Sequence, residues 1–205
     1  MMVVRFYELD VVRGSAVIAM VVFHAFYDLD FLGYVSIDLS SGFWWFFPRA
    51  IASVFISVAG VSLALSYSGG RIRISHYIIR GAELLGVGLV ITCVTYVFVP
   101  YAYIRFGILH FIGLATLLSF PFLRCDNRIT VSVGVLVALL GLMIRNVRVS
   151  FPYLLWLGLK PQHFYTLDYF PLLPWFSLIL FGIVAGNVLY PDHSRRWSMG
   201  EMRDH

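Results

Sequence analysis

The first long apolar segment, LDVVRGSAVIAMVVFHAFYDLDFLG (residues 9–33), carries Asp10, Arg13, His24 and Asp28. Ionisable groups inside so apolar a run cost free energy, and by default they mark a functional site. Asp10 and His24 are fourteen residues apart. On a helix they would differ by about 40° in direction and lie roughly 21 Å apart along the axis. His24 and Asp28 stand at i, i+4, where two side chains can touch or share a ligand. Arg13 follows Asp10 by three positions. A histidine beside a carboxylate suits general acid–base chemistry, with the carboxylate fixing the imidazole tautomer and stabilising the imidazolium. The spacing predicts one polar stripe facing a bundle interior, with an ion pair at one end and His24–Asp28 at the other.

The surrounding sequence supplies the elements that would position this stripe. Of 205 residues 60% are hydrophobic and 13% charged, and mean hydropathy is +0.84. Soluble domains carry about 25% charged residues, so the composition is that of an integral membrane protein. Tyr, Trp and Phe are abundant, as in membrane-interface belts. The net charge of +4 resides in short loops between apolar runs and forms no soluble basic face, which argues against nucleic acid as a partner. The amino-terminal run is too long for a cleavable signal. Six spans of about 20 residues are expected near 11–34, 43–67, 78–99, 106–123, 129–145 and 172–190. They form an all-α polytopic bundle and a single integral membrane domain over 1–205, with no internal repeat and a cytoplasmic tail at 191–205. With the N-terminus inside, ten arginines fall on inner segments against five basic residues outside. This predicts an N-in/C-in, multi-pass protein of the plasma membrane. The connection 146–171 is the one long loop, and PYLLWLGL (152–159) within it reads as a short interfacial or re-entrant helix.

This topology gathers further residues by depth. His24, Asp28, Arg49, Arg105, His110 and Asp168 collect in the outer half. Asp10, Arg13, Arg80, Glu83, Arg124 and Arg128 collect at the inner end, with Glu83 pairing most simply with Arg80 or Arg13. Arg49 and Arg105 also fit as snorkelling anchors, and His163 and His76 as ordinary loop residues. Cys93 and Cys125 match no metal spacing and read as unpaired core thiols. Gly60, Gly86, Gly88, Gly113, Gly182 and Gly186 read as helix-packing positions.

ELDVVRGSAVIAMVVFH (8–24) resembles the opening signature of the acyltransferase-3 group: acidic residue, Arg–Gly, small and apolar residues, then a histidine eleven positions after the arginine. RAIASVFISVAGVSLALS (49–66), RFGILHFIGLATLLSFPFL (105–123) and DYFPLLPWFSLILFGIVAGN (168–187) resemble, in order, the heparan-α-glucosaminide N-acetyltransferase catalytic-domain family. The likeness covers most of residues 5–190. It implies acyl transfer across a membrane, from cytoplasmic acetyl-CoA to an amine or hydroxyl of a sugar-type acceptor on the other side. The animal members carry their functional histidine in the loop after the first matching helix. Here that loop, 30–42, has none, so His24 is carried over from the acyltransferase-3 pattern alone.

On that reading Asp10, Arg13, Arg80, Arg124 and Arg128 hold the acyl-CoA. His24 is the base, Asp28 its orienter and His110 the oxyanion donor, while Arg49, Arg105 and Asp168 face the acceptor. Transfer could be direct or through an acetyl-histidine. Two histidines at matched depth on different spans are also a haem-ligating arrangement. Intramembrane Asp and His also serve small transporters. A family member that binds acyl-CoA or lipid without catalysis is a further alternative. Membrane lipids are obligate partners, and a homodimer is plausible for so small a bundle.

Overall fold

The computed structural model describes residues 6–39, 41–69 and 74–191. The tail at 192–205, His193 and six of the ten arginines counted on the inner side (Arg5, Arg71, Arg73, Arg195, Arg196 and Arg203) lie outside the described residues.

Among the described residues six helices follow in order: α1 (Tyr7–Phe31), α2 (Gly42–Ser68), α3 (Ile74–Phe98), α4 (Ile108–Ser119), α5 (Asn127–Ile144) and α6 (Leu172–Leu189). All but α4 are long and apolar enough to cross a membrane. α4 stops early because Pro121 has no N–H for the next helical bond, and the chain continues as a 3₁₀ turn, Phe120–Leu123. Helix and turn together reach about 26 Å. Among the described residues the single strand pair is β1 (Arg148–Val149) parallel to β2 (Lys160–Pro161), with Arg148 opposite Lys160. The chain is therefore an all-helical membrane bundle, as its composition predicts.

Sequence also explains which helix is central. α6 is apolar on every face, which suits a helix surrounded by others. It packs between α2 and α5, and Phe176, Ile179, Leu180 and Ile183 join Ile56 of α2 and Phe111 of α4 in the core. Lipid gives helices no hydrophobic drive to associate, so close packing over small residues must hold them. Gly60 on α2 and Gly182 on α6 meet face to face. A Cβ on Gly60 would run into the Ile179 carbonyl, and one on Gly182 into that of Ser57. Gly88, Gly113 and Gly186 are also packed against neighbours, but Gly86 has nothing within 4 Å and is exposed. Glu83 shares that outward face of α3 and makes no ion pair among the described residues. Cys93 is exposed as well, so it is unpaired but not a core thiol.

Of the two outer walls, α1 is the loosely held one. α1 packs on α2, and α3 packs on α4. Ala16 is the only buried residue of α1, so the predicted polar stripe does not face a closed interior. The beginning of α1 is tied down by Phe6, which packs with Val61, Leu65 and Tyr190. Its end rests on aromatic contacts, Phe26 with Trp44 and Phe23 with Phe47.

Apart from β1 and β2, the long loop is irregular. Residues 152–159 form consecutive turns, not the expected short helix. Their carbonyls are engaged elsewhere: Leu155 O accepts from the Tyr169 hydroxyl, Trp156 O from Leu172 N and Leu157 O from Leu173 N. The loop is thereby fastened over the start of α6.

Candidate active site

Because α1 and α3 do not close on each other, a cleft runs between them over a floor of α2 and α4. Near the start of α1 it widens into a cavity of about 510 Å³ lined by Arg13, Ser62, Ser66, His76, Arg80 and Thr116 among apolar side chains. Towards the end of α1 lies a second, more open cavity, also about 510 Å³, lined by Val17, Met20, Val21, His24, Ala25, Asp28, Phe55 and Ile108. Each is of a size to hold a small organic ligand. Phe55 lines both cavities and stands as a septum between them.

The near-end cavity is cationic. Arg13 is bonded to Ser62, bridging α1 to α2, and lies 3.5 Å from Asp10. Arg80 is exposed into the cavity and has no hydrogen-bonding partner among the described residues. His76 stands one turn before it on the same face of α3. This is the residue that sequence reasoning set aside as a loop histidine. Its i, i+4 spacing to Arg80 was the available signal. Arg124 and Arg128 do not reach the cavity. Arg124 lies over the Phe120 ring at 4.7 Å. Arg128 follows Asp126, which caps α5 by accepting the Arg128 N–H at 2.7 Å.

The far-end cavity holds His24 and Asp28 together, both exposed along it. No bond links them among the described residues. Instead His24 Nδ1 lies 2.8 Å from the Met20 carbonyl oxygen. A carbonyl only accepts, so Nδ1 carries the hydrogen and Nε2 of the neutral ring keeps a free lone pair. The backbone thus sets the tautomer, the task expected of Asp28.

His110 has a different fate. It is 5% exposed and its ring packs on Gly88. Nδ1 accepts the Gly107 N–H at 3.3 Å. The Thr92 hydroxyl donates to Ile104 O and therefore accepts from His110 Nε2, at 3.3 Å. Both nitrogens are engaged and the ring lines neither cavity, so it offers an oxyanion no free donor. For the same reason it is not placed to share a haem with His24.

Arg49 lies over Trp45 at 4.2 Å and bonds the Trp45 carbonyl, in the manner of an interfacial anchor. Arg105 stacks over Tyr103 and Phe164 at 4.8 and 5.6 Å. Neither lines the cleft.

Asp168 is positioned by the long loop. Phe106 pairs with Tyr169, and Phe170 N donates to Phe106 O. The Asp168 carboxylate then accepts the Ile108 N–H at 2.8 Å, capping the start of α4. Burial pushes its carboxyl above the usual range, opposed by the N–H groups of Ile108 and Tyr169 and by nearby His24. A raised folded-state pKa gives stability that is fully present below the ordinary carboxylate pKa and lost as pH rises through the raised value. Asp168→Asn keeps an acceptor for Ile108 and should flatten the dependence of the unfolding temperature on pH in the range just above the ordinary carboxylate pKa of about 4. Asp168→Ala should flatten it too and, because it leaves that N–H without its partner, should be less stable than Asp168→Asn by about 1–2 kcal/mol at every pH. Thermal unfolding of the two variants in detergent across that range checks both outcomes.

No curated protein and no solved structure matches this chain significantly. The family model described as heparan-alpha-glucosaminide N-acetyltransferase, catalytic, matches residues 5–205, and that family is one of membrane acetyltransferases. With five membrane-length helices around a cationic cavity and a neighbouring cavity that holds an imidazole nitrogen free of hydrogen bonds among the described residues, the chain belongs to the heparan-alpha-glucosaminide N-acetyltransferase catalytic family.

Proposed function

We propose that the protein transfers an acetyl group from acetyl-CoA, bound at the near-end cavity, to an amine or hydroxyl of a sugar-type acceptor at the far-end cavity. The near end is cytoplasmic on this reading, and the protein sits in the plasma membrane. The observation that carries the proposal is the adjacency of a cationic cavity and a cavity holding the free Nε2 of His24, with Phe55 as their shared wall.

The residues present suit acetyl-CoA. Arg13, Arg80 and His76 offer donors for phosphate oxygens, and charge-assisted bonds of this kind are about twice as strong as neutral ones. Arg13 and His24 are eleven residues apart, about 16 Å along α1, a gap that an extended pantetheine arm can span past Phe55. Acetyl-CoA supplies the acetyl group activated as a thioester. His24 Nε2 takes the proton of the attacking amine or hydroxyl as the new bond to the acetyl carbon forms and the carbon–sulfur bond breaks. His24 then returns the proton to the departing thiolate. Asp28, one turn away, stabilises the imidazolium through its charge.

The test is radiolabelled acetyl-CoA with purified protein in vesicles and a panel of amino sugars. Transfer of label to an amino sugar is expected. Intact acetyl-CoA with every acceptor would overturn the reading. Arg80→Ala should raise the KM for acetyl-CoA by about 10–100-fold, since a hydrogen bond to a charged group is worth about 1.5–3 kcal/mol, with kcat changed far less. A fall in kcat at unchanged KM would move Arg80 out of donor binding.

A further inference from the structure

We infer that the acceptor is anchored in the bilayer: an amphiphile whose apolar chain lies along α1 in the far-end groove and whose amine or hydroxyl head reaches His24. This inference rests on the acetyltransferase reading of the same site. Three observations carry it.

The groove is graded in polarity. Val17, Met20 and Val21 of α1, with Phe55 of α2, line its deep half, while His24 and Asp28 stand at its mouth. Val17 and Asp28 are eleven residues apart, about 16 Å along the helix, close to half of a hydrocarbon core roughly 30 Å thick. The lining therefore covers one leaflet, apolar at the midplane and polar at the interface, in the order of a lipid.

The groove is open sideways. Val17 is 48% and Val21 63% exposed although both line it, because α1 packs on α2 and α3 does not shut the other side. At that depth the opening faces hydrocarbon. A ligand entering there comes from the membrane.

The polar groups are few. Among the described residues the near-end cavity offers two guanidiniums, an imidazole and several hydroxyls, whereas the far-end groove offers His24 and Asp28 alone. A free sugar held there would leave most of its hydroxyls unpaired, at a cost for each one buried. An alkyl chain in the trough removes that cost, and the Asp28 carboxylate at the mouth suits an amine-bearing head.

The experiment compares free glucosamine with octyl and dodecyl glucosaminide as acceptors, using radiolabelled acetyl-CoA and the protein in phosphatidylcholine vesicles. The expected result is a kcat/KM at least about tenfold higher for the dodecyl compound, because its methylenes are buried along the apolar lining. Val17→Trp and Val21→Trp, which fill the trough, should each cut that advantage to about twofold or less. Equal kcat/KM for free and alkylated acceptors overturns the inference and leaves acetyl transfer standing. A chain-length advantage that survives both substitutions reports mere partition into the bilayer and also overturns it. If label reaches none of the three acceptors, the functional reading fails and the inference falls with it.

Discussion

His24→Ala is expected to lower kcat for acetyl transfer by about 10²–10⁴-fold, the range for loss of a general base, while leaving the affinity for acetyl-CoA nearly unchanged. The two effects separate because of where His24 lies. It is exposed in the far-end cavity, about 16 Å along α1 from Arg13, and its one hydrogen bond is to Met20 on its own helix. Removing the ring leaves no buried partner unsatisfied and should not disturb the fold. Turnover in vesicles and titration of acetyl-CoA binding, on the same preparation, read both effects. His24→Gln should be as inactive as alanine, since an amide can replace a hydrogen bond but cannot take a proton near neutral pH. A variant keeping more than about a tenth of wild-type kcat would place the base elsewhere. His110 would be a poor substitute, since both of its nitrogens are committed to Gly107 and Thr92.

The largest effect on stability is expected at the crossing of α2 and α6. Gly182→Ala puts a methyl group against the Ser57 carbonyl, and Gly60→Ala puts one against Ile179. Backbone cannot rotate aside as a side chain can, so the two central helices must separate. Overpacking of this kind costs about 1–3 kcal/mol and sometimes more. Here it also opens the interface from which Ile56, Ile179 and Ile183 draw their packing. Each substitution should lower the unfolding temperature by several degrees and reduce the monodisperse fraction recovered in detergent. Gly86→Ala supplies the contrast: with nothing within 4 Å of the new methyl, it should be neutral or slightly stabilising through helix propensity. Identical behaviour of Gly86→Ala and Gly182→Ala would mean that helix propensity, not the crossing, sets the response.

Much of this architecture was readable from periodicity and depth. Apolar runs of membrane length located all six helices, and arginines and histidines could be ranked along the membrane normal. That ranking put His24 with Asp28 and Arg13 with Arg80, and the structure brings each pair to one cavity. Depth alone does not say which way a side chain turns. His110 matches His24 in level yet turns inwards onto Gly88. Arg124 is at the right end but folds over Phe120. The tautomer of His24 depends on a backbone carbonyl one turn earlier, and every helix offers such a carbonyl, so sequence gave no reason to prefer it over Asp28. The loop at 152–159 misled for a related reason. Its apolar pattern suits a helix, but its carbonyls answer to Tyr169, Leu172 and Leu173, distant contacts that a local pattern does not carry.

The loose attachment of α1 has a consequence for how such an enzyme can change. The frame of α2, α5 and α6 holds the molecule together, and the groove lies on a helix that leans on that frame through little more than Ala16, Arg13 and a few aromatic rings. Substitutions at Val17, Val21 or Ala25 reshape the trough without entering the central crossing. New acceptors can therefore be acquired on α1 at small cost to stability, so this helix is where diverging members of the family should differ most and where directed evolution should begin.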